Sequence, residues 1–154
     1  MNDNFRNLLQ QLDLLDKSDI YNGDLIEIEA DSANHSWLFN VEFDHPISIE
    51  DFEFFHEKIV NLPEKIKSVL KTEMVVSYKD NDYKMLPEYY DYVLRRLAES
   101  KPRFNAIIDF EIEQNKNRLE VVCPKDGTFV TDMLYEIKKE LDYFGFDVLL
   151  ATRI

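Results

Sequence analysis

The residue pattern with the clearest chemical potential is a pair of carboxylates, Asp109 and Glu111, in a segment that alternates apolar and acidic residues. Side chains two positions apart on a β-strand point to the same side, so this pair could hold a divalent metal ion. Asp147, four residues after Tyr143, adds a carboxylate downstream. Two-metal phosphoryl chemistry needs several carboxylates converging from a larger sheet, and only about forty residues follow Glu111. We therefore interpret the alternation as a solvated strand face and predict no nuclease centre.

The histidines and the cysteine are not arranged for catalysis or metal binding. His35 and His45 bracket one predicted strand and would lie roughly 30 Å apart at a rise of about 3.3 Å per residue. His56 lies on a predicted helix with no second imidazole one turn away. Cys123 is the single cysteine, which excludes an internal disulfide, and the end of an apolar strand does not suit a nucleophilic thiol. We predict no catalytic residue, no metal site and no cofactor in this chain.

A cluster of basic residues follows three tyrosines in the second half of the chain. Its members are Arg95, Arg96, Lys101 and Arg103. Basic side chains interleaved with aromatic ones can bind single-stranded nucleic acid, and cations near the end of a helix are also favoured by the helix dipole. The alternative hypothesis of nucleic-acid binding depends on whether these four residues join Lys138 and Lys139 in one patch.

Charge argues against nucleic acid as the main partner. The chain has 154 residues, of which 31 are acidic and 18 basic, and its formal net charge is −13. Residues 1–79 carry a net charge of −9 and residues 80–154 one of −4. Nucleic-acid affinity depends largely on cations that neutralise phosphates, so the chain as a whole should be repelled. Any tolerance for a polyanion therefore lies in the second half.

Composition predicts a globular protein. Apolar residues make up 45% of the chain, but they form no long run that could span a membrane, and the first residues lack the features of a secretory signal. The three isolated glycines form no phosphate-binding loop. We predict a cytoplasmic location.

Apolar periodicity predicts the same order of elements twice: a helix, a β-hairpin, a second helix and a strand. In the first half, the predicted elements are helix 5–15, strands 25–30 and 37–43, helix 49–60 and strand 69–78. In the second half, they are helix 86–97, strands 108–112 and 119–123, helix 130–144 and strand 146–151. This order predicts an α+β fold of two small domains, residues 1–79 and 80–154, each with its helices on one face of an antiparallel or mixed sheet. A single continuous sheet is the competing arrangement.

Two aromatic residues on the second predicted strand could act in the core or at an interface. Trp37 and Phe39 alternate with polar residues, which predicts that both side chains lie in the core. Aromatic residues also dominate the energetics of protein interfaces, so a role as partner anchors is the alternative.

The repeated helix–hairpin–helix–strand order resembles that of the KH-like modules. Members of that family that bind nucleic acid carry a Gly-x-x-Gly loop between two helices, and this sequence contains no such loop. The resemblance implies two small KH-like domains, and the missing loop argues against RNA binding.

Aromatic motifs occur in a characteristic order along nearly the whole chain. They are Phe5–Leu12, Gly23–Ile28, Ser36–Val41, Phe52–Phe55, Asn117–Val122 and Tyr143–Asp147. In this order and spacing they resemble the amino-terminal region of PolC-type DNA polymerase III alpha subunits, the replicative polymerases of low-GC Gram-positive bacteria.

This resemblance implies two non-catalytic domains ahead of an oligonucleotide-binding fold, a proofreading exonuclease and the polymerase proper. Residues 1–79 would be similar to the polymerase-binding domain of the clamp loader's tau subunit, and residues 80–154 to KH-like modules. The implied function is contact with other replisome proteins, with tau or the helicase as expected partners. The parent enzyme would be a DNA-directed DNA polymerase with 3′–5′ exonuclease activity, whose catalytic residues fall outside this chain. The alternative is a KH-like nucleic-acid-binding region that uses the basic cluster.

Overall fold

A computed structural model of the chain describes residues 1–81, 83–102, 104, 109–112, 118–122 and 130–153. The chain divides into two compact units, Met1–Asn81 and Asp82–Ile154, here called the first and second unit. The described strands form two three-stranded sheets rather than one continuous sheet, one in each unit. The predicted α+β class is confirmed.

The two units share the order of their described elements. The first contains α1 (Asp3–Gln11), β1 (Gly23–Asp31), β2 (Ser36–Phe43), α2 (Ile49–Val60) and β3 (Lys71–Tyr78). The second contains α3 (Leu86–Ser100), β4 (Asp109–Ile112), β5 (Arg118–Val122), α4 (Val130–Tyr143) and β6 (Leu149–Arg153). In each sheet the central strand pairs antiparallel with the first strand and parallel with the third. Both sheets are therefore mixed.

An aromatic cluster forms the core of the first unit, where α1 and α2 cover one face of the sheet. The ring of Phe55 lies 5.2 Å from the rings of both Phe43 and Tyr21, and the ring of Phe5 stacks 6.4 Å from it. The Tyr21 hydroxyl donates to the Asp51 carbonyl oxygen at 2.9 Å, and burial raises the pKa of Tyr21 to about 12. Each of these rings contributes about 1.5–3 kcal/mol through the apolar surface it buries.

Helix α1 ends earlier than periodicity predicts, at Gln11 rather than at residue 15. Asp13 has a left-handed φ of 59°, which a helix cannot continue. The apolar pattern persists because Leu12 and Leu14 are both buried on either side of this turn. Helical spacing alone therefore could not show where the helix stops.

Capping residues set other boundaries. The Ser48 Oγ accepts from the Asp51 N–H at 3.1 Å and begins α2. Pro63 lies in a short 3₁₀ turn, Leu62–Glu64, directly after that helix. In the second unit, β6 begins at Leu149, and Phe146 and Val148, which precede the strand, are buried in the core.

Helices α3 and α4 pack together in the second unit. The Tyr89 ring lies 5.1 Å from that of Phe144 and 4.8 Å from that of Phe146. At the surface, Arg96 donates to Glu140 at 3.1 Å and links the two helices. Across both units, no described helix has the length and apolar character needed to cross a membrane.

Candidate protein-docking groove

The site begins with an irregularity in β1. Leu25 and Glu27 face consecutive residues of β2, so Ile26 is an extra residue, a β-bulge. Plain alternation would put Leu25 on the same face as Glu27. The bulge instead lets Leu25 and Ile28 share the face that the helices cover. Glu27 lies on the opposite face, where its carboxylate accepts a hydrogen bond from the Asn40 amide at 3.1 Å.

An apolar groove with a volume of about 370 Å³ lies between α1 and the sheet. One wall is a single stripe of α1 with helical spacing, formed by Asn4, Asn7, Leu8 and Gln11. The remaining lining is mostly apolar and consists of Leu25, Glu27, Ile28, Trp37, Phe39, Leu62 and Ile66. Three amide side chains at one wall and an apolar floor suit a polypeptide, which offers both backbone hydrogen-bonding groups and apolar side chains.

The floor of the groove is only partly covered by the chain itself. Phe39 is buried, but Trp37 is half-buried, and Ile28 is 46% exposed although it lies on the face that the helices cover. The prediction that Trp37 and Phe39 both lie in the core therefore holds fully only for Phe39. A partly covered Trp beside an exposed Ile is the type of surface that anchors a partner's side chain.

Lys65 holds one end of the groove together. Its Nζ donates to the Gln11 carbonyl oxygen at 3.0 Å and to the Asp13 carboxylate at 2.6 Å. This hydrogen bond and the charge of Lys65 hold the pKa of Asp13 below its usual value. The contacts tie the end of α1 to the segment that carries Leu62 and Ile66, so the two walls are linked.

The part of the chain that contains the groove is acidic overall. Glu27 is the one charged residue among the described residues that line it, and its carboxylate lies on the opposite face of the sheet, beside Asn40. Residues 1–79, which contain the whole groove, have a net charge of −9. An apolar cleft in an acidic surface favours a partner that presents apolar and cationic side chains.

Two of the four residues of the predicted basic cluster pair with acidic residues of α4. Arg96 pairs with Glu140 at 3.1 Å, and Lys101 pairs with Glu136 at 3.0 Å. Arg95 is exposed, and Arg103 lies outside the described residues. Cations that are already paired contribute less to phosphate binding, because those pairs must first be broken.

A second concavity, of about 550 Å³, lies between α4 and β6 in the second unit. Lys138 and Lys139 line it together with Tyr135, which is 68% exposed. Lys138 is held by Asp142 at 3.1 Å and by Asp147 at 3.2 Å. Asp147, considered from the sequence as a further carboxylate, is therefore paired with Lys138 in the structure.

The histidines occupy separate structural positions. His35 has a left-handed φ of 50° in the turn between β1 and β2, and His45 lies 3.8 Å from Asp80. The Nε2 of His56 lies 2.6 Å from the Glu73 carboxylate. Within the described residues, no group of three or more His, Cys, Asp or Glu side chains could hold a metal ion. Cys123 lies outside the described residues.

Comparison with known proteins first defines the class. Residues 4–73 match the family described as DNA polymerase III polC-type N-terminus I, and this range contains all of α1 except Asp3, all of β1, β2 and α2, and every residue that lines the groove. The chain is similar to the amino-terminal region of PolC-type DNA polymerase III, as its aromatic motifs predicted.

A particular relative is the DNA polymerase III PolC-type of Pediococcus pentosaceus. It is 26% identical over 148 residues, which cover 96% of this chain but 10% of the length of that protein. Among solved structures, the crystal structure of APE1850 has a TM-score of 0.30 and 14% identity, and the match covers 94% of this chain and 96% of that one. This TM-score is below the level that identifies a shared fold.

Proposed function

We propose that this chain is the non-catalytic amino-terminal region of a PolC-type replicative DNA polymerase, and that it binds other replisome proteins during DNA replication in the cytoplasm. The clamp loader's tau subunit and the helicase are the proposed partners. Residues 1–79 would act as a module similar to the polymerase-binding domain of tau, and residues 80–154 as a KH-like module. Polymerisation and proofreading would belong to other parts of such a protein.

The groove is the observation that carries this proposal. It lies entirely within the range that matches the PolC-type family, and it combines an amide-rich helical wall with a partly exposed Trp37. Interfaces of this kind bind a partner through a few aromatic and aliphatic anchors surrounded by polar groups. The acidic surroundings and the paired cations of the second unit favour a protein partner over nucleic acid.

The test uses two matched substitutions on α1. Asn7 and Gln10 are both exposed, but only Asn7 lines the groove. Asn7→Arg should block the groove and weaken binding of tau or the helicase by at least about tenfold, which corresponds to the loss of one interface anchor. Gln10→Arg adds the same charge to the same helix and should leave the affinity unchanged. Isothermal titration calorimetry with the full chain measures both.

The alternative function, binding of nucleic acid by the basic cluster, predicts a different outcome for these variants. If the chain binds single-stranded DNA at physiological salt, and Arg95→Ala weakens that binding while Asn7→Arg does not, the basic cluster is the functional surface. Equal binding of a replisome protein by the Asn7→Arg and Gln10→Arg variants would contradict a role for the groove.

A further inference from the structure

The backbone hydrogen bonds of β2 show which way its residues face. The carbonyl oxygen of His35 accepts from the Leu70 N–H at 2.7 Å, and that of Phe43 accepts from the Lys79 N–H at 2.9 Å. Both carbonyl groups therefore point towards the side of β3. Because backbone groups alternate in direction along a strand, every second residue between them faces β3 as well. Trp37 and Phe39 are two of these residues.

The partners of these two residues on β1 must then face away from β2. Ala30 pairs with Trp37 and Ile28 with Phe39 in the antiparallel ladder. In such a ladder, the two residues of a pair either bond to each other or both point outwards. The N–H and C=O groups of Ile28 and Ala30 therefore lie on the outer side of β1, which we call the open edge. Within the described chain, β1 has β2 as its only neighbour in the sheet.

A side chain already imitates an added strand at the start of β1. The Asn2 Oδ1 accepts from the Leu25 N–H at 3.1 Å, and its Nδ2 donates to the Leu25 carbonyl oxygen at 3.0 Å. The same Oδ1 accepts from the Phe5 N–H at 2.9 Å and caps α1. The outward groups of Leu25 are thus satisfied from within the chain. Ile26, the bulge residue, and residues 27–31 beyond it are all exposed.

The two faces of β1 next to the open edge differ in chemistry. On one face, Ile28 continues into the apolar floor of the groove. On the other face lie Glu27 and Glu29, both exposed. The Asp31 carboxylate is already engaged in the hairpin turn, where it accepts hydrogen bonds from the Asn34 N–H and side-chain amide. These hydrogen bonds lower the pKa of Asp31. An added strand would meet apolar surface on one side and two carboxylates on the other.

We propose that the open edge of β1 binds an extended segment of a partner protein as a fourth strand, and that this segment alternates apolar and basic residues. The inference rests on the proposed function and names the chemistry of the partner. Apolar side chains of the segment would enter the groove, and Lys or Arg side chains would face Glu27 and Glu29. A second copy of this chain does not fit, because edge-to-edge pairing would bring the same carboxylates of both copies together.

The direct probe is a short synthetic peptide of alternating lysine and valine, titrated into the isotope-labelled full chain. We expect amide shifts and slowed hydrogen exchange at Ile28 and Ala30, because both N–H groups gain acceptors. A peptide of the same composition with its lysines and valines in two blocks should bind at least about tenfold more weakly. Absence of protection at both amides, or equal affinity of the two peptides, would overturn the proposal.

Two variants give independent readouts. Ala30→Pro removes an outward N–H without touching the β1–β2 hydrogen bonds, and it should abolish protection by the peptide. Glu29→Lys should weaken peptide binding about fivefold, whereas Glu57→Lys, an equal charge change on the exposed side of α2, should not. The comparison of Glu29→Lys with Glu57→Lys still decides the test if Ala30→Pro unfolds the chain. Equal loss in Glu29→Lys and Glu57→Lys would show non-specific attraction and reject strand addition.

The same variants separate this proposal from the proposed function. If tau or helicase binding is lost in Asn7→Arg but unaffected by Ala30→Pro and Glu29→Lys, the groove binds a partner without strand addition, and the present proposal is wrong. If the alternating peptide protects the open edge but no replisome protein binds the chain, strand addition stands and the proposed function fails. Concentration-dependent dimers in analytical ultracentrifugation that Ala30→Pro abolishes would assign the edge to self-association and overturn the proposal.

Discussion

Lys79 joins the ends of two strands in the first unit. Its Nζ lies 2.8 Å from an oxygen of Asp24, near the start of β1, and 3.2 Å from an oxygen of Asp44, just after β2. The hydrogen bond from Lys79 lowers the pKa of Asp24, and the hydrogen bonds to Asp24 and Asp44 raise the pKa of Lys79. The ion pairs therefore stabilise the folded state only where the carboxylates and the ammonium group are all charged.

Replacing Lys79 with Met should make stability less dependent on pH. A carboxyl whose pKa is lowered by folding adds stability above its unfolded pKa of 3.8, and this stability is lost as the pH falls through the lower folded value. The wild-type chain should therefore be modestly more stable than Lys79→Met at neutral pH, and the difference should shrink by about pH 3. At alkaline pH, the difference should also vanish as Lys79 loses its proton. Urea denaturation across this range measures it.

The control is Lys71→Met, an equal change at the opposite end of β3. Its stability difference from the wild-type chain should vary little between neutral and acid pH. Parallel pH profiles for the two variants would show that the interactions of Lys79 with Asp24 and Asp44 are not the source of the effect.

Single residues of the groove differed in how well sequence could identify them. Trp37 and Phe39 were identified from their aromatic type and their alternation with polar residues. In the structure Phe39 is buried in the core, whereas Trp37 is half-buried at the groove. Asn7 and Ile28 lie in two of the motifs, Phe5–Leu12 and Gly23–Ile28, but nothing in their type or spacing indicated a place in a groove. Their role depends on Ile66 and on the bulge, which arise from pairing between segments distant in the chain. Local periodicity does not contain this information.

At the scale of elements, Thr72 fastens α2 to β3. It is the buried polar residue of the described core, and its hydroxyl donates to the Ile59 carbonyl oxygen near the end of α2. That carbonyl belongs to the last turn of the helix, where intrahelical donors run out. The contact therefore satisfies a helix end and fixes its position on the sheet.

Thr72→Val should lower the free energy of unfolding by about 1–2 kcal/mol, because the Ile59 carbonyl loses a buried donor while the volume is kept. Thr72→Ser keeps the hydroxyl and should retain the hydrogen bond, although it loses a methyl group. Chemical denaturation gives the energies, and amide exchange near the end of α2 locates the effect. A Val variant as stable as the wild-type chain would contradict this role.

Apolar periodicity predicted the order of the helices and strands, but it did not predict where each of them ends. The order of helices and strands was predicted because apolar spacing differs between the two types. The early end of α1 coincides with the left-handed Asp13 and its contact with Lys65, and β6 starts three residues later than predicted, after the buried Phe146 and Val148. Both are tertiary effects. The sequence also did not decide between an antiparallel and a mixed sheet, and the parallel pairing of β2 with β3 is known only from the structure.

At the scale of the whole molecule, the first unit should fold independently. The unit Met1–Asn81 has its own sheet and aromatic core, and chains of about 60 residues or more can fold alone. A fragment of residues 1–81 should unfold cooperatively and retain the partner binding that Asn7→Arg weakens. Thermal denaturation followed by circular dichroism, together with calorimetry, tests both. A fragment with no cooperative thermal transition would show that folding requires the rest of the chain.

The bulge at Ile26 also shapes the outer margin of β1. An extra residue bends its strand and increases the local twist, so the outer margin of β1 is neither straight nor continuous. A chain lacking Ile26 would keep the same side chains on each face but would present a flatter, uninterrupted margin. Margins of that kind recruit identical chains into fibrillar stacks. We therefore expect the extra isoleucine, itself 57% exposed, to disfavour such stacking through backbone shape rather than through its side chain.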